Sequence, residues 1–214
     1  MPDRPDPAIY NRIAGGSLER LGALSDGVFA IAMTLLVLDL HIPSADAVHD
    51  ERALWQALAG LAPRLLVFLL SVMTIGIFWV GQQTQLNYLR RADRDLAWLH
   101  LGFLAAVSLL PFTTSLIGAF VTFRLALVIY WANILVLGAM LFASWRYARR
   151  AGLTRDEATV TLACAVERRI VYAQVLYAAA AALCLVNTYW ALGAILLLQM
   201  NYAIAPRIPL LGRV

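Results

Sequence analysis

Few side chains in this sequence are able to do chemistry, and most of them stand inside apolar runs. Ser25 and Asp26 interrupt the run Leu21–Leu40, which also holds Thr34 and ends at Asp39. His100 lies alone in another run, and Cys164 and Cys184 are far apart in sequence. No His-Glu-x-x-His, nucleophile elbow or Walker loop occurs, and three histidines with two cysteines are too few and too scattered for a metal cluster. The cysteines read as reduced packing residues rather than a disulfide or a metal pair. The chemistry expected is therefore neither hydrolysis nor group transfer, and no cofactor or resident metal is implied. A carboxylate within an apolar run must instead face protein or water, which makes Asp26 and Asp39 candidates for holding a structure together or meeting an ion.

Composition identifies the elements that must position these groups. Of the 214 residues, 62% are apolar or aromatic and 14% are charged, against roughly 45–50% and 25% in a soluble domain. Mean hydropathy is +0.74. Soluble, disordered, coiled-coil and disulfide-scaffold classes are excluded, and the apolar excess must meet lipid. Each helical span needs about 20 apolar residues. Open sheets cannot cross lipid with unpaired edges, so an all-α polytopic membrane protein is predicted.

Six runs supply the spans, at about 21–40, 61–86, 96–120, 121–145, 170–186 and 189–205. Together they form one membrane domain over 21–205, with an N-terminal segment at 1–20 and a tail at 206–214. The N-terminal segment lacks the apolar core and cleavage site of a signal peptide. Asn187-Thr188 predicts a tight helical hairpin between the last two spans. Pro111 predicts a bend in the third. Residues 52–62 fit a short interfacial helix anchored by Trp55.

All 17 basic residues are arginine. Fourteen fall on alternate segments: the N-terminal segment, the second-to-third link, the fourth-to-fifth link and the tail. Only Arg52, Arg64 and Arg124 fall on the other side. By the positive-inside rule both termini are cytoplasmic. The net charge of +4 thus reflects topology or anionic lipid rather than nucleic acid. The opposite loop carries Asp46, Asp50 and Glu51 beyond Asp39. This acidic collar is either a solvated loop or a device concentrating cations at a pore mouth.

On a helical wheel centred on Ile31, residues Gly27, Thr34 and Leu38 fall within about 60° of it, and Asp26 lies about 220° away. One face of the first span is thus expected to pack inside the subunit through Ser25 and Asp26. The other presents Gly27, Ile31, Thr34 and Leu38 elsewhere.

The pattern Arg20-x-x-x-Leu24-Ser25-Asp26 resembles the Arg-x-x-x-Phe-Ser-Asp signature of the transmembrane protein 175 family, which comprises endolysosomal potassium channels of animals and prokaryotic relatives. Leu24 replaces the signature Phe. The resemblance continues through Gly76-Ile-Phe-Trp79, through Arg90-Arg91-Ala-Asp93-Arg94-Asp-Leu-Ala-Trp98-Leu-His100 and through Ser108-Leu-Leu-Pro111-Phe112-Thr113-Thr114. Gln82-Gln83 stands where relatives often carry a His pair. Beyond Gly118 only the number and hydropathy of the spans agree.

This resemblance implies a single-repeat prokaryotic member. It assembles as a homotetramer whose first helices line a central pore, with constriction and selectivity at Ile31, Thr34 and Leu38. Arg20, Leu24, Ser25, Asp26, Trp79 and His100 form the network that holds that helix. The implied function is modestly potassium-selective passive conduction across the plasma membrane, with potassium, the lipid bilayer and further copies of the chain as partners. From the residues alone, His100 is also a candidate proton sensor or a buried, hydrogen-bonded packing residue. Two other functions stay open: a proton-coupled secondary transporter working through Asp26 or Asp39, and a non-conducting scaffold.

Overall fold

The computed structural model describes residues 17–41, 44, 48–156 and 160–203. Residues 1–16 of the expected N-terminal segment 1–20, the whole of the tail 206–214, and Asp46 lie outside these residues. Helix α1 spans Leu18–Leu36 and continues as a 3-10 turn over Val37–Asp39. It starts where Ser17 Oγ accepts from Arg20 N at 3.3 Å, satisfying one of the amides that a helix start leaves unpaired. Helix α2 (Glu51–Gly60) lies in the link, capped by Asp50, and α3 (Ala62–Asn87) follows with Pro63 in its first turn. Helices α4 (Arg94–Ser108) and α5 (Leu110–Ala119) share the third run. Then come α6 (Arg124–Arg150), α7 (Val160–Ala182, with a 3-10 turn over Leu183–Leu185) and α8 (Thr188–Ala203).

Among the described residues, five segments are long and apolar enough to cross a membrane: Leu18–Asp39, Ala62–Asn87, Arg94–Ala119, Arg124–Arg150 and Thr161–Leu185. The sixth expected span is occupied by α8, whose 16 described residues extend about 24 Å. Among the described residues the only β-pairing is an isolated bridge between Leu89 and Thr154.

Two span boundaries differ from the sequence expectation, each for a physical reason, and the third span is interrupted near Pro111, where a bend is expected. Pro111 has no N–H to give to the preceding turn, and the backbone breaks at Leu109, whose N–H turns to Ala106 O at 3.3 Å. The fourth span begins at Arg124 rather than 121, because Phe123 is extended. The fifth extends back to Val160 rather than starting at 170, so Arg168 and Arg169 belong to a helix and not to a loop. There Arg168 and Arg169 lie over the rings of Tyr172 and Tyr202, while the neighbouring Glu167 Oε1 accepts from Arg149 Nη1 at 2.5 Å.

Helix α3 is the hub, packing against α1, α5, α6 and α8, while α1 is held by α3, α4 and α5. The core between them is built from residues such as Phe29, Leu36, Leu70, Phe103, Leu127 and Ile195. Helix α6 stops at Gly152, whose φ of 63° a side chain would disfavour. This turn returns Leu153 N to Ala148 O at 2.9 Å, a Schellman closure, and presents Leu153 O to Arg90 N at 2.8 Å.

Candidate functional site

Ser25, Phe29, Ala32 and Leu36 are the buried residues of α1. They recur at four-, three- and four-residue intervals and form one stripe. The stripe at Gly27, Ile31, Thr34 and Leu38 is exposed, with Ile31 61% and Leu38 68% accessible. The two faces expected from the helical wheel are therefore separate in the fold, with one correction. Asp26 is exposed and sits on the flank rather than in the packed face, because one residue turns the helix by about 100° from Ser25.

Two polar clusters fasten the packed face. In the first, Ser25 Oγ lies 2.7 Å from His100 Nε2 and donates to Leu21 O at 2.9 Å. Gln82 Nε2 donates to Ser25 Oγ at 2.7 Å and sits 2.9 Å from His100 Nε2. These three buried groups join α1, α3 and α4. A polar contact inside an apolar bundle cannot fall back on water, so it fixes the relative register of the helices. In the second cluster, Asp26 Oδ1 accepts from Trp79 Nε1 at 2.8 Å and from Gln83 Nε2 at 2.9 Å. Both donors belong to α3.

The structure thus brings Ser25 together with His100, and Asp26 together with Trp79. Arg20 and Leu24 take no part in either cluster: both are exposed, and Arg20 makes no ion pair with Asp26 among the described residues. His100 has the geometry of a hydrogen-bonded packing residue. Thr34 Oγ1 donates to Ile31 O at 2.8 Å, so its hydrogen is turned back into the helix and its lone pairs face outward.

At the other end of α1, Asp39 Oδ2 accepts from Ser115 Oγ at 2.6 Å, tying the helix end to α5. Asp50 Oδ1 caps α2 by accepting from Ala53 N at 2.6 Å. Glu51 is exposed in the first turn of α2. Asp39 and Asp50 thus each have a local structural partner. No group of histidine, cysteine or carboxylate side chains among the described residues is arranged to hold a metal.

Sequence reasoning missed Gln82 and Gln83 as contributors to the site, noting them only as a departure. It also missed a deeper network. Thr74 Oγ1 lies 2.9 Å from Tyr130 OH and accepts from Gln199 Nε2 at 2.6 Å. Thr114 Oγ1 donates to Ser71 Oγ at 2.7 Å. The available signal was spacing: Ser71, Thr74, Gln82 and Gln85 follow the three-and-four rhythm of one helix face, and all four are buried.

Comparison with known proteins locates this geometry. The family model described as "Endosomal/lysosomal potassium channel TMEM175" matches residues 20–111. A protein named as a potassium channel from Streptomyces collinus is 34% identical over 137 residues, covering 62% of this chain and 65% of the relative. A potassium channel of Chamaesiphon minutus is 29% identical over 189 residues, 86% of this chain and 93% of that one. The human endosomal/lysosomal proton channel TMEM175 is 35% identical over 109 residues, which is 49% of this chain but 22% of the human protein.

Among solved structures, the crystal structure of a lysosomal potassium-selective channel TMEM175 homolog from Chamaesiphon minutus superposes with a TM-score of 0.74. It is 26% identical, covering 87% of this chain and 96% of that one. The residues matched by the family model, 20–111, contain α1 from Arg20 onward and every partner of its two polar clusters, so the similarity to TMEM175 channels covers the whole of this site.

Proposed function

We propose that the protein is a passive, modestly potassium-selective channel of the cell membrane. Four copies surround one pore lined by α1, with both termini and the arginine-rich end in the cytoplasm. The observation that carries this reading is the outward stripe of α1, where Ile31, Thr34 and Leu38 stand exposed on the side of the helix opposite the packed residues Ser25, Phe29, Ala32 and Leu36. A stripe that includes a threonine, on a helix carrying the ionisable Asp26, is poorly suited to lipid and well suited to a water-filled axis shared between copies. Relatives named as potassium channels support the same reading.

Conduction follows from the chemistry of the stripe. A ring of four Ile31 side chains excludes water when narrow and closes by dewetting. When wider it makes an ion shed part of its hydration, which costs potassium less than sodium. No oxygen cage replaces the lost water, so discrimination is modest. Thr34 partly compensates, because its hydroxyl hydrogen is engaged by Ile31 O and its oxygen is free to face a cation. Ser25 with His100 and Gln82, and Asp26 with Trp79 and Gln83, hold the ring in register without touching the ion. Asp39, Asp50 and Glu51 add negative charge at the mouth.

The test is ion flux from purified protein in liposomes under a potassium gradient, repeated with sodium and with Ile31→Asn. Rapid uncoupled flux favouring potassium is expected, with the variant conducting more and discriminating less. Unchanged selectivity in Ile31→Asn removes Ile31 from the constriction. Flux that requires a proton gradient identifies a transporter, and a stable oligomer without flux identifies a scaffold.

A further inference from the structure

At the arginine-rich end of the bundle, the last turn of α6 and the first turns of α7 flank an open cavity of about 360 Å³ lined by Arg146, Arg149, Arg150, Cys164 and Glu167. Conduction as described above does not use it. Arg146 and Arg150 are four residues apart and Arg149 is three from Arg146, so the three guanidinium groups share one face of α6. Arg149 is fixed by Glu167, at 2.5 Å. Arg146 lies over the Phe142 ring, 5.9 Å from its centroid. The cavity therefore holds three cations against one carboxylate, with two of the cations already oriented. Like charges gathered in this way repel unless an anion joins them, and planar guanidinium forks match phosphate oxygens.

We propose that this cavity binds the phosphate of an anionic phospholipid, of the phosphatidylglycerol type, from the leaflet at that end of the bundle. Three observations favour a lipid over a free anion. The cavity sits at the ends of two membrane-spanning segments, Arg124–Arg150 and Thr161–Leu185, where headgroups lie. It has room for about a dozen water-sized groups, enough for the about ten non-hydrogen atoms of a phosphoglycerol headgroup. Arg168, exposed and four residues on from Cys164 along the same side of α7, extends the positive field beside the cavity.

Cys164 reports occupancy directly, because it is exposed and lines the cavity, whereas Cys184 is buried. The full chain is reconstituted in phosphatidylcholine vesicles with and without phosphatidylglycerol. The rate of N-ethylmaleimide addition at Cys164 is then read by peptide mass spectrometry. Phosphatidylglycerol is expected to slow labelling at least ~5-fold, the protection of a site about four-fifths occupied. Arg146→Gln/Arg150→Gln is expected to label at one rate in both vesicles, which separates site binding from the general effect of a charged surface. Arg146→Lys/Arg150→Lys keeps the charge and is expected to retain part of the protection. Equal rates for the unaltered chain in both vesicles overturn the proposal, as does protection that persists in the Gln pair. Protection by inorganic phosphate alone, to the same extent in neutral vesicles, overturns the lipid assignment in favour of a soluble anion.

Discussion

Trp79 Nε1 donates to Asp26 Oδ1 across 2.8 Å, joining α3 to the exposed flank of α1 over 53 residues of sequence. The bond engages a carboxylate that stands beside the outward stripe and orients it. Trp79→Phe keeps the ring in place and removes only the donor. Interhelical hydrogen bonds in membranes contribute about 0.5–1.5 kcal/mol, and Gln83 Nε2 still bonds the same oxygen at 2.9 Å. The expected outcome is a fall in melting temperature of a few degrees with oligomer yield unchanged, together with altered channel open time in single-channel recording. A variant with unaltered gating would separate Asp26 from the control of α1.

The Ser25, Gln82 and His100 cluster makes an asymmetric prediction. Ser25 Oγ and His100 Nε2 lie 2.7 Å apart and satisfy each other directly. Gln82 Nε2 adds a bond to Ser25 Oγ, yet its own Oε1 is buried without a partner among the described residues. Gln82→Leu removes that unsatisfied acceptor and orphans nothing, so it is expected to cost under about 1 kcal/mol. His100→Ala opens a cavity and strips the histidine partner from Ser25, at about 2–4 kcal/mol. Thermal unfolding of the two variants in one detergent checks the order. A larger loss for Gln82→Leu would contradict it.

These two clusters show what the sequence discloses and what it hides. The alternation of Ser25, Phe29, Ala32 and Leu36 against Ile31, Thr34 and Leu38 is periodicity on one helix, so the two faces of α1 are legible by counting. The break near Leu109 is announced by Pro111, since proline lacks a donor. The polar stripe of α3 was equally countable, but the long apolar run around it masks Ser71, Thr74 and Gln82 in any average of hydropathy. The pairing of Arg149 with Glu167 depends on how far α7 extends before it meets α6. Its charged first turns read as a loop, so neither the pair nor the cavity beside it is visible before the helices are placed.

Thr34 offers a direct test of the ion path. Its hydroxyl hydrogen is held by Ile31 O at 2.8 Å, so a passing cation meets only the oxygen. Thr34→Val keeps shape and volume while replacing that oxygen by a methyl group. The expected outcome is a smaller potassium current and a potassium-to-sodium permeability ratio nearer unity, read from reversal potentials in bi-ionic solutions. Thr34→Ser keeps the oxygen and is expected to keep the ratio. Equal ratios in all three proteins would place Thr34 off the path.

Gly138 sets how closely α6 and α7 approach. A Cβ at this position would overlap the carboxamide of Gln174, whose Nε2 donates to Ile134 O at 3.4 Å. Alanine is otherwise the better helix residue, by about 0.5–1 kcal/mol, so propensity and packing act in opposite directions here. If packing dominates, Gly138→Ala destabilises the protein by displacing Gln174 or parting the helices. Gln174→Ala removes the obstructing group at the cost of one long hydrogen bond. Its Oε1 is buried without a partner among the described residues, so little else is lost. The double variant is then expected to be more stable than Gly138→Ala alone, with a coupling of about 1 kcal/mol or more between the sites. Thermal unfolding of the four proteins measures that coupling. Strictly additive effects would mean that the α6–α7 spacing is set elsewhere along the pair, since no other route connects a methyl group at 138 to the side chain at 174.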